Sequence, residues 1–459
     1  MIIENTPYDA LEIGATAELR RLCTADDLWV FAAATGNHNP MHLPDEDVDG
    51  DGKPEAMASG IYVASILSAV MGNLLPGPGT LLRSQSLTFH TQARAGDEIL
   101  ARVTVTAKAE GGVTLATEVR RIGDNALILS GEAQVSAPTR KLRFDDVDVP
   151  GLLVQRHRHF DAILKRAEPL PALITAVVCP HDANSLGGAL LAMQHSIITP
   201  ILIGQTARIQ AVAAETAANL KGIVIIDAPS DAAAAQMAVD LVHKGRAQAI
   251  MKGHLHTQEL IRPMMDKDSG LRIGRRFSHV FVMDVPGMDH PLLVSDAAIN
   301  IAPDLATKVD IVQNAIDLAI SLGMKIPRVG VLSAVETINP AIPSSIDAAL
   351  LSKMAERGQI TGGLVDGPLA MDNAVNPAAA RSKNLHSKVA GRAQVLVVPG
   401  IDAGNMLAKQ LTYLGHAEAA GLVLGAKVPV ILTSRSDSIK ARLAAAAIAA
   451  IHHHRLARG

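Results

Sequence analysis

Apolar positions change rhythm about a third of the way along the chain. One helical apolar stretch, Gly60–Leu75, ends in LeuLeuProGlyProGly, and alternating segments follow at Ser84–Thr91, Glu98–Glu110, Gly112–Ile122 and Ala126–Ala137. Strict alternation bounded by turn residues predicts half-buried strands. ArgAlaGlyAsp (94–97), GluGlyGly (110–112) and GlyAspAsn (123–125) supply the turns. The expectation is one helix followed by an antiparallel meander that wraps it, so that each covers the other's apolar face.

A charged segment at residues 141–151 closes on Pro-Gly and reads as a linker. Beyond it, apolar clusters alternate with Ala-rich helical stretches: Ala172–Val178, Ile201–Ile203, Gly222–Ile226, Ala249–Met251, His279–Asp284, Arg328–Leu332, Val395–Val398 and Val428–Leu432. That alternation predicts a doubly wound parallel sheet, whose ligands bind beyond the carboxyl ends of strands. The loops at 179–182, 252–254, 365–368, 399–405 and 433–437 are therefore the ones to hold chemistry. Two domains are expected, 1–145 and 151–459.

Composition narrows the classes. With 48% hydrophobic and 19% charged residues, the 459-residue chain has the makeup of a globular enzyme. Aromatics are 2%, with a single Trp29, and 42 basic residues face 45 acidic ones, a net charge of −3. Neither stacking platforms nor a basic field is present, which excludes nucleic acid as a partner. Cys23 and Cys179 form no CxxC or secreted disulfide pattern, and the acidic start MetIleIleGluAsn is no signal peptide, so a cytoplasmic protein is expected. The longest apolar stretches fall short of the roughly 20 residues that span a bilayer, so no membrane partner is expected. HisHisHis (452–454) reads as a solvated surface run, because adjacent helical residues point apart, and no metal site is expected.

Residues 35–42, ThrGlyAsnHisAsnProMetHis, resemble the loop of MaoC-type (R)-specific enoyl-CoA hydratases, whose pattern is Ser/Thr-Gly-Asp-x-Asn-Pro-x-His. AlaSerGlyIle (58–61), LeuProGlyProGlyThr (75–80) and SerGlnSerLeuThrPhe (84–89) continue the likeness over about residues 1–140. The resemblance implies an α+β hotdog fold in which an Asp and a His activate water for addition to an enoyl thioester. His42 matches the histidine, Asn39 the loop asparagine and Gly60 the glycine whose amide faces the thioester oxygen. Asn37 stands at the aspartate, and a neutral amide orients water without accepting its proton. Ser59 replaces a common histidine. His38 is a further, exposed-loop candidate for the base.

Five ordered motifs in residues 151–459 resemble the phosphate acetyltransferase/phosphate butyryltransferase family: LysGlyHisLeuHisThr (252–257), SerAspAlaAlaIleAsnIleAlaProAsp (295–304), ValAspGlyProLeuAlaMetAspAsnAla (365–374), ValProGlyIleAspAlaGlyAsnMetLeuAlaLys (398–409) and ThrSerArgSerAspSer (433–438). The implied fold is a two-lobed α/β unit like that of isocitrate dehydrogenases. Acyl transfer from phosphate to a thiol needs an oxyanion donor and a cation for the leaving phosphate. The resemblance gives these roles to Ser434 and Arg435. The acetyl-specific branch has an aspartate where this chain has Ala441, which leaves Asp437 as a weaker base or a helix cap. Lys252, Asp366, Asp402 and Asn405 are expected to contact substrate, with Arg272, Arg275 and Arg276 as further anion contacts.

Together the halves resemble bifunctional enoyl-CoA hydratase/phosphate acetyltransferases. The expected substrates are CoA, acyl phosphate and enoyl-CoA, with no tightly bound cofactor and a homo-oligomeric assembly. The alternative is a non-catalytic acyl-CoA-binding scaffold or sensor, favoured by Asn37 and Ala441 standing where acids are usual.

Overall fold

The computed structural model describes residues 2–109, 112–145, 154, 157–433 and 437–457. The chain divides into two compact units, Met1–Val154 and Gln155–Gly459.

The first unit runs β1 (Ile2–Glu4), β2 (Thr16–Leu22), α1 (Ala25–Thr35), α2 (Gly60–Asn73), β3 (Leu81–Phe89), β4 (Glu98–Ala109), β5 (Gly112–Arg121), β6 (Leu127–Ser136) and β7 (Arg143–Asp145). Alternation decides its interior. Ile99, Ala101, Val103 and Val105 of β4, Val113, Leu115 and Val119 of β5, and Ala133 and Val135 of β6 are buried while their neighbours are more exposed, and Ile128 and Leu129 of β6 are both buried. They pack around α2, whose Val63, Ile66, Leu67 and Val70 are equally buried. This is the hotdog arrangement. The meander needs one correction: the antiparallel sheet has order β2-β4-β5-β6-β3, so β3 crosses to the far edge instead of pairing with β4. The polar, mostly exposed strand β2 gave no clear alternation and was not foreseen.

The second unit continues with α3 (Arg158–Ala167), β8 (Leu173–Val178), α4 (Ala183–Gln194), β9 (Ile198–Gly204), α5 (Thr206–Glu215), β10 (Val224–Asp227), α6 (Asp231–His243), β11 (Ala249–Lys252), α7 (Thr257–Met264), β12 (Ser278–Asp284) and β13 (Leu292–Ser295). Then come α8 (Leu305–Ser321), β14 (Arg328–Leu332), α9 (Pro343–Glu356), β15 (Leu364–Leu369), α10 (Met371–Val375), α11 (Pro377–Ser382), β16 (Val395–Val397), α12 (Ile401–Tyr413), β17 (Glu418–Leu424), β18 (Val430–Ile431) and α13 (Ile439–Leu456). Its sheet has order β10-β9-β8-β11-β18-β17-β12-β13-β16-β14-β15.

The all-parallel expectation is corrected here. Two parallel blocks, β10-β9-β8-β11-β18 and β13-β16-β14-β15, are joined by β17 and β12, which pair antiparallel with each other and with their outer neighbours. The blocks therefore run in opposite directions. Ile431, Leu422, Val280 and Ser295 form one row across β18, β17, β12 and β13, and both β18 and β13 leave the sheet beside that row. β13, β15 and β17 escaped the sequence reading because one is four residues long, one holds Asp-Gly-Pro, and one begins Glu-Ala-Ala-Gly. None has the β-branched enrichment that marks a strand.

The last helix, α13, is an Ala-rich rod buried on most of its surface. The surface reading of the histidines is corrected for His452, which is buried and bonded to Ser321 Oγ at 2.9 Å. Burial pushes its imidazole down to about 4. None of the described helices is long and apolar enough to cross a membrane.

Candidate active sites

In the first unit, α1 ends at Gly36 in the left-handed conformation, and the chain folds into a short turn, Pro40–His42. Asn37 Oδ1 accepts from the Asn39 amide and Asn39 Oδ1 from the Met41 amide, both at 3.2 Å. These two asparagines thus shape the loop. His42 Nδ1 lies 3.0 Å from the Met57 carbonyl, which only accepts, so Nδ1 carries the proton and Nε2 is the basic nitrogen.

His42, Ser59, Gly60, Phe89, Thr91 and Ile128 border a cavity of about 250 Å3. Gly60 opens α2, and its N-cap Ser59 makes no side-chain cap bond, so the first amides of the helix keep their donor capacity toward this space. A Cβ there would come 2.7 Å from the Phe89 ring, so any larger residue would displace that ring. The structure brings His42 and Gly60 together. Asn37, half-buried, and His38, exposed, do not border the cavity.

In the second unit, Lys252, His256, Phe281, Ala298, Asn405 and Thr433 border a cavity of about 320 Å3. Lys252 ends β11, Thr433 follows β18, Ala298 follows β13, and Asn405 lies on α12 after β16. The carboxyl ends of both strand blocks therefore contribute to one space. Lys252 is 4% exposed, and the turn that follows it fits only because residue 253 is glycine: a Cβ would meet the Cys179 and Val178 carbonyls at 2.3 and 2.4 Å. Ser434 and Arg435 lie outside the described residues. They follow Thr433 directly in the chain.

Asp437 is half-buried, and its charge acts on Arg442. It is not the helix cap: Ser438 is, accepting from the Ala441 amide at 3.1 Å. Asp402 is exposed in the first turn of α12, one turn before Asn405. Asp366 sits apart, bordering a separate cavity with Ser352 and His386, its Oδ1 accepting from the Gly367 amide at 2.8 Å. Arg275 and Arg276 pair with Asp317 and Asp310 of α8.

Sequence reasoning passed over Arg442. It is 1% exposed, and its Nη1 donates to Thr433 Oγ1 at 2.6 Å. Burial lowers its guanidinium from the usual value, while Asp182 and Asp437 act to raise it. Asp182, in turn, is raised by burial but brought below the usual carboxylate value by the Ser185 amide and hydroxyl, Arg442 and His254. A signal existed: one cation inside the run ArgLeuAlaAlaAlaAla. Arg442→Met is expected to destabilise the protein by about 3 kcal/mol, because it strands partners of a buried charge. The denaturant midpoint reads this, and a change below about 0.5 kcal/mol would show that the tie carries no stability.

The family model described as phosphate acetyl/butaryl transferase matches residues 230–450, and that of a MaoC like domain matches residues 10–125. A phosphate acetyltransferase from Rhizobium meliloti is 55% identical over 293 residues, 64% of this chain and 93% of that protein. The chain belongs to the phosphate acetyl/butaryl transferase family. A phosphate butyryltransferase of Clostridium beijerinckii is 38% identical over 64% of this chain and 97% of its own length. The crystal structure of a branched-chain phosphotransacylase from Enterococcus faecalis V583 superposes with a TM-score of 0.54 at 33% identity, over 61% of this chain and 99% of that one. The family thus accounts for the second unit, and the MaoC like match falls within the first.

Proposed function

We propose that the second unit transfers a short acyl group between acyl phosphate and CoA, and that the first is an (R)-enoyl-CoA hydratase-like unit that holds an acyl-CoA thioester. The observation that carries the transfer is the delivery of Lys252, Asn405 and Thr433 to one cavity, with Ser434 and Arg435 next in sequence. In the forward direction the CoA thiolate attacks the acyl carbonyl, the oxyanion collapses, and the carbon–oxygen bond to phosphate breaks. Ser434 donates to the oxyanion. Arg435 and Lys252 hold the phosphate. Asp437 is the nearest carboxylate in sequence for the thiol proton, which ends on the released phosphate, while Asp402 and Asn405 contact CoA from α12. Asp366 is kept as a substrate contact of its own, separate cavity. CoA and phosphate are substrates, and no tightly held cofactor enters the chemistry. The test is thiol capture and release with CoA and acyl phosphates of two to six carbons. Absence of transfer with all of them would overturn the reading.

In the first unit His42 Nε2 and the α2 N-terminus flank the thioester, while Asn37, which stands where the resemblance puts the second base, lies off the cavity border. The full chain is therefore expected to bind crotonyl-CoA and hydrate it poorly. Asn37→Asp restores a carboxylate and should raise hydration by about 10²-fold, a general-base contribution, and His42→Ala in that background should erase the gain. Loss of enoyl absorbance measures both. Brisk hydration by the unaltered chain, unmoved by Asn37→Asp, would return the proton to His42 or His38. A non-catalytic acyl-CoA scaffold is the second reading for this unit, favoured by the engagement of Asn37 Oδ1 within its own loop. We also infer a cytoplasmic homo-oligomer. Edge strand β3 leaves Leu81, Leu82 and Phe89 exposed, a surface suited to another copy.

A further inference from the structure

The loop leaving β8 gathers a set of side chains that acyl transfer does not use. Cys179, His181 and Asp231 present a sulfur, a ring nitrogen and a carboxylate oxygen, all within 4.8 Å of one another. Cys179 directly follows β8 and is fully buried, with φ of +53°, a conformation uncommon for a residue with a side chain. Asp231 opens α6, positioned by the Ser230 cap. The Cys179 sulfur lies 3.4 Å from Asp231 Oδ1.

His181 is the observation that points to a ligand. Its side chain lies in the interior, 8% exposed, and neither ring nitrogen meets a hydrogen-bond partner among the described residues. A neutral imidazole has one N–H and one lone pair, and burying both unmet runs against the rule that interior polar groups are satisfied. A thiol-to-carboxylate hydrogen bond would account for Cys179 and Asp231, yet it leaves His181 unexplained. An ion would engage all three, taking the lone pair of one His181 ring nitrogen and leaving its other nitrogen as the N–H.

We propose that Cys179, His181 and Asp231 bind one divalent transition-metal ion of the zinc class, with water as the fourth ligand. Metal–sulfur and metal–oxygen bonds of about 2.3 and 2.0 Å at a tetrahedral angle separate the two ligand atoms by about 3.5 Å, close to the distance between Cys179 and Asp231. A thiolate, an imidazole and one carboxylate favour zinc over calcium or magnesium, which take oxygen ligands. Thiolate and carboxylate together balance a doubly charged ion, so the buried centre is neutral overall. Binding converts the Cys179 thiol to a metal thiolate and releases its proton to solvent. Burial, then Arg208 and His254, hold the His181 imidazole below its usual value against the opposing charges of Asp231 and Asp182.

The ion would act by positioning. The Cys179 carbonyl accepts from the His254 amide at 2.6 Å, and His254 Nδ1 lies 3.0 Å from Asp182 Oδ2. Fixing residues 179–182 therefore fixes the loop that directly follows Lys252 at the end of β11.

Chelator-treated full-length protein titrated with Zn2+, and with Co2+ as an optical probe, tests this. One equivalent should bind, and Co2+ should develop a thiolate-to-metal charge-transfer band. Cys179→Ser should remove the band, while His181→Ala and Asp231→Asn should each weaken Zn2+ binding by about 100-fold or more, beyond the usual loss from a supporting residue. Should His181→Ala fail to fold, the band in Cys179→Ser and the affinity of Asp231→Asn answer the same question. Because Cys23 is the other thiol, a band that survives Cys179→Ser overturns the assignment. So does the absence of stoichiometric binding, or affinity unchanged in the variants.

Discussion

Arg435→Ala is expected to abolish acyl transfer, lowering kcat/KM by roughly 10³ or more, the scale on which an arginine facing phosphate charge contributes. The residue lies two positions after Thr433, which borders the cavity with buried Lys252. Lys252 is a point charge, while a guanidinium offers a planar fork to two phosphate oxygens. Residual phosphate binding through Lys252 is therefore expected without productive alignment, and Arg435→Lys should recover only part of the loss. The thiol assay measures the rate, and an unchanged denaturant midpoint shows that the fold persists. Turnover within about tenfold of the unaltered enzyme would place the phosphate site elsewhere.

Ser434→Ala is expected to lower kcat by about 10²–10³ with KM little changed, the signature of a donor used mainly in the transition state. The residue follows Thr433, whose hydroxyl is bonded to the buried Arg442. That tie anchors the chain immediately before Ser434. A fall in KM-dependent binding with kcat intact would instead make Ser434 a ground-state contact. Unchanged kcat and KM together would demote it to a turn residue.

Both substitutions address residues proposed from sequence, and the pattern that singles them out is local. ThrSerArgSerAspSer combines a strand exit, a hydroxyl, a planar cation and a helix start in six consecutive residues. A pattern of that kind survives without knowledge of its surroundings. The same holds for the loop ThrGlyAsnHisAsnProMetHis, the buried helix α2 and the alternating strands β4 to β6, since period-2 and helical burial are written in neighbouring residues.

What spans distant segments was not legible. Nothing near Lys252 in sequence says that Asn405 borders the same cavity, or that Asp366 borders another. The reversal between the two strand blocks depends on β12 and β17, which pair antiparallel from far apart in the chain. Arg442 reads as an outlier in an alanine-rich helix until Thr433 and Asp182 are found beside it. Cys179, His181 and Asp231 have no metal-ligand spacing, because the third member arrives on α6 after four intervening elements, α4, β9, α5 and β10. Sequence by itself determined the family and the two kinds of fold, because each is encoded in short-range pattern, and the same kind of pattern proposed the chemical groups. Tertiary structure alone decided which groups share a cavity, which histidines are buried and where a strand reverses, because those depend on non-local pairing and on the burial it imposes.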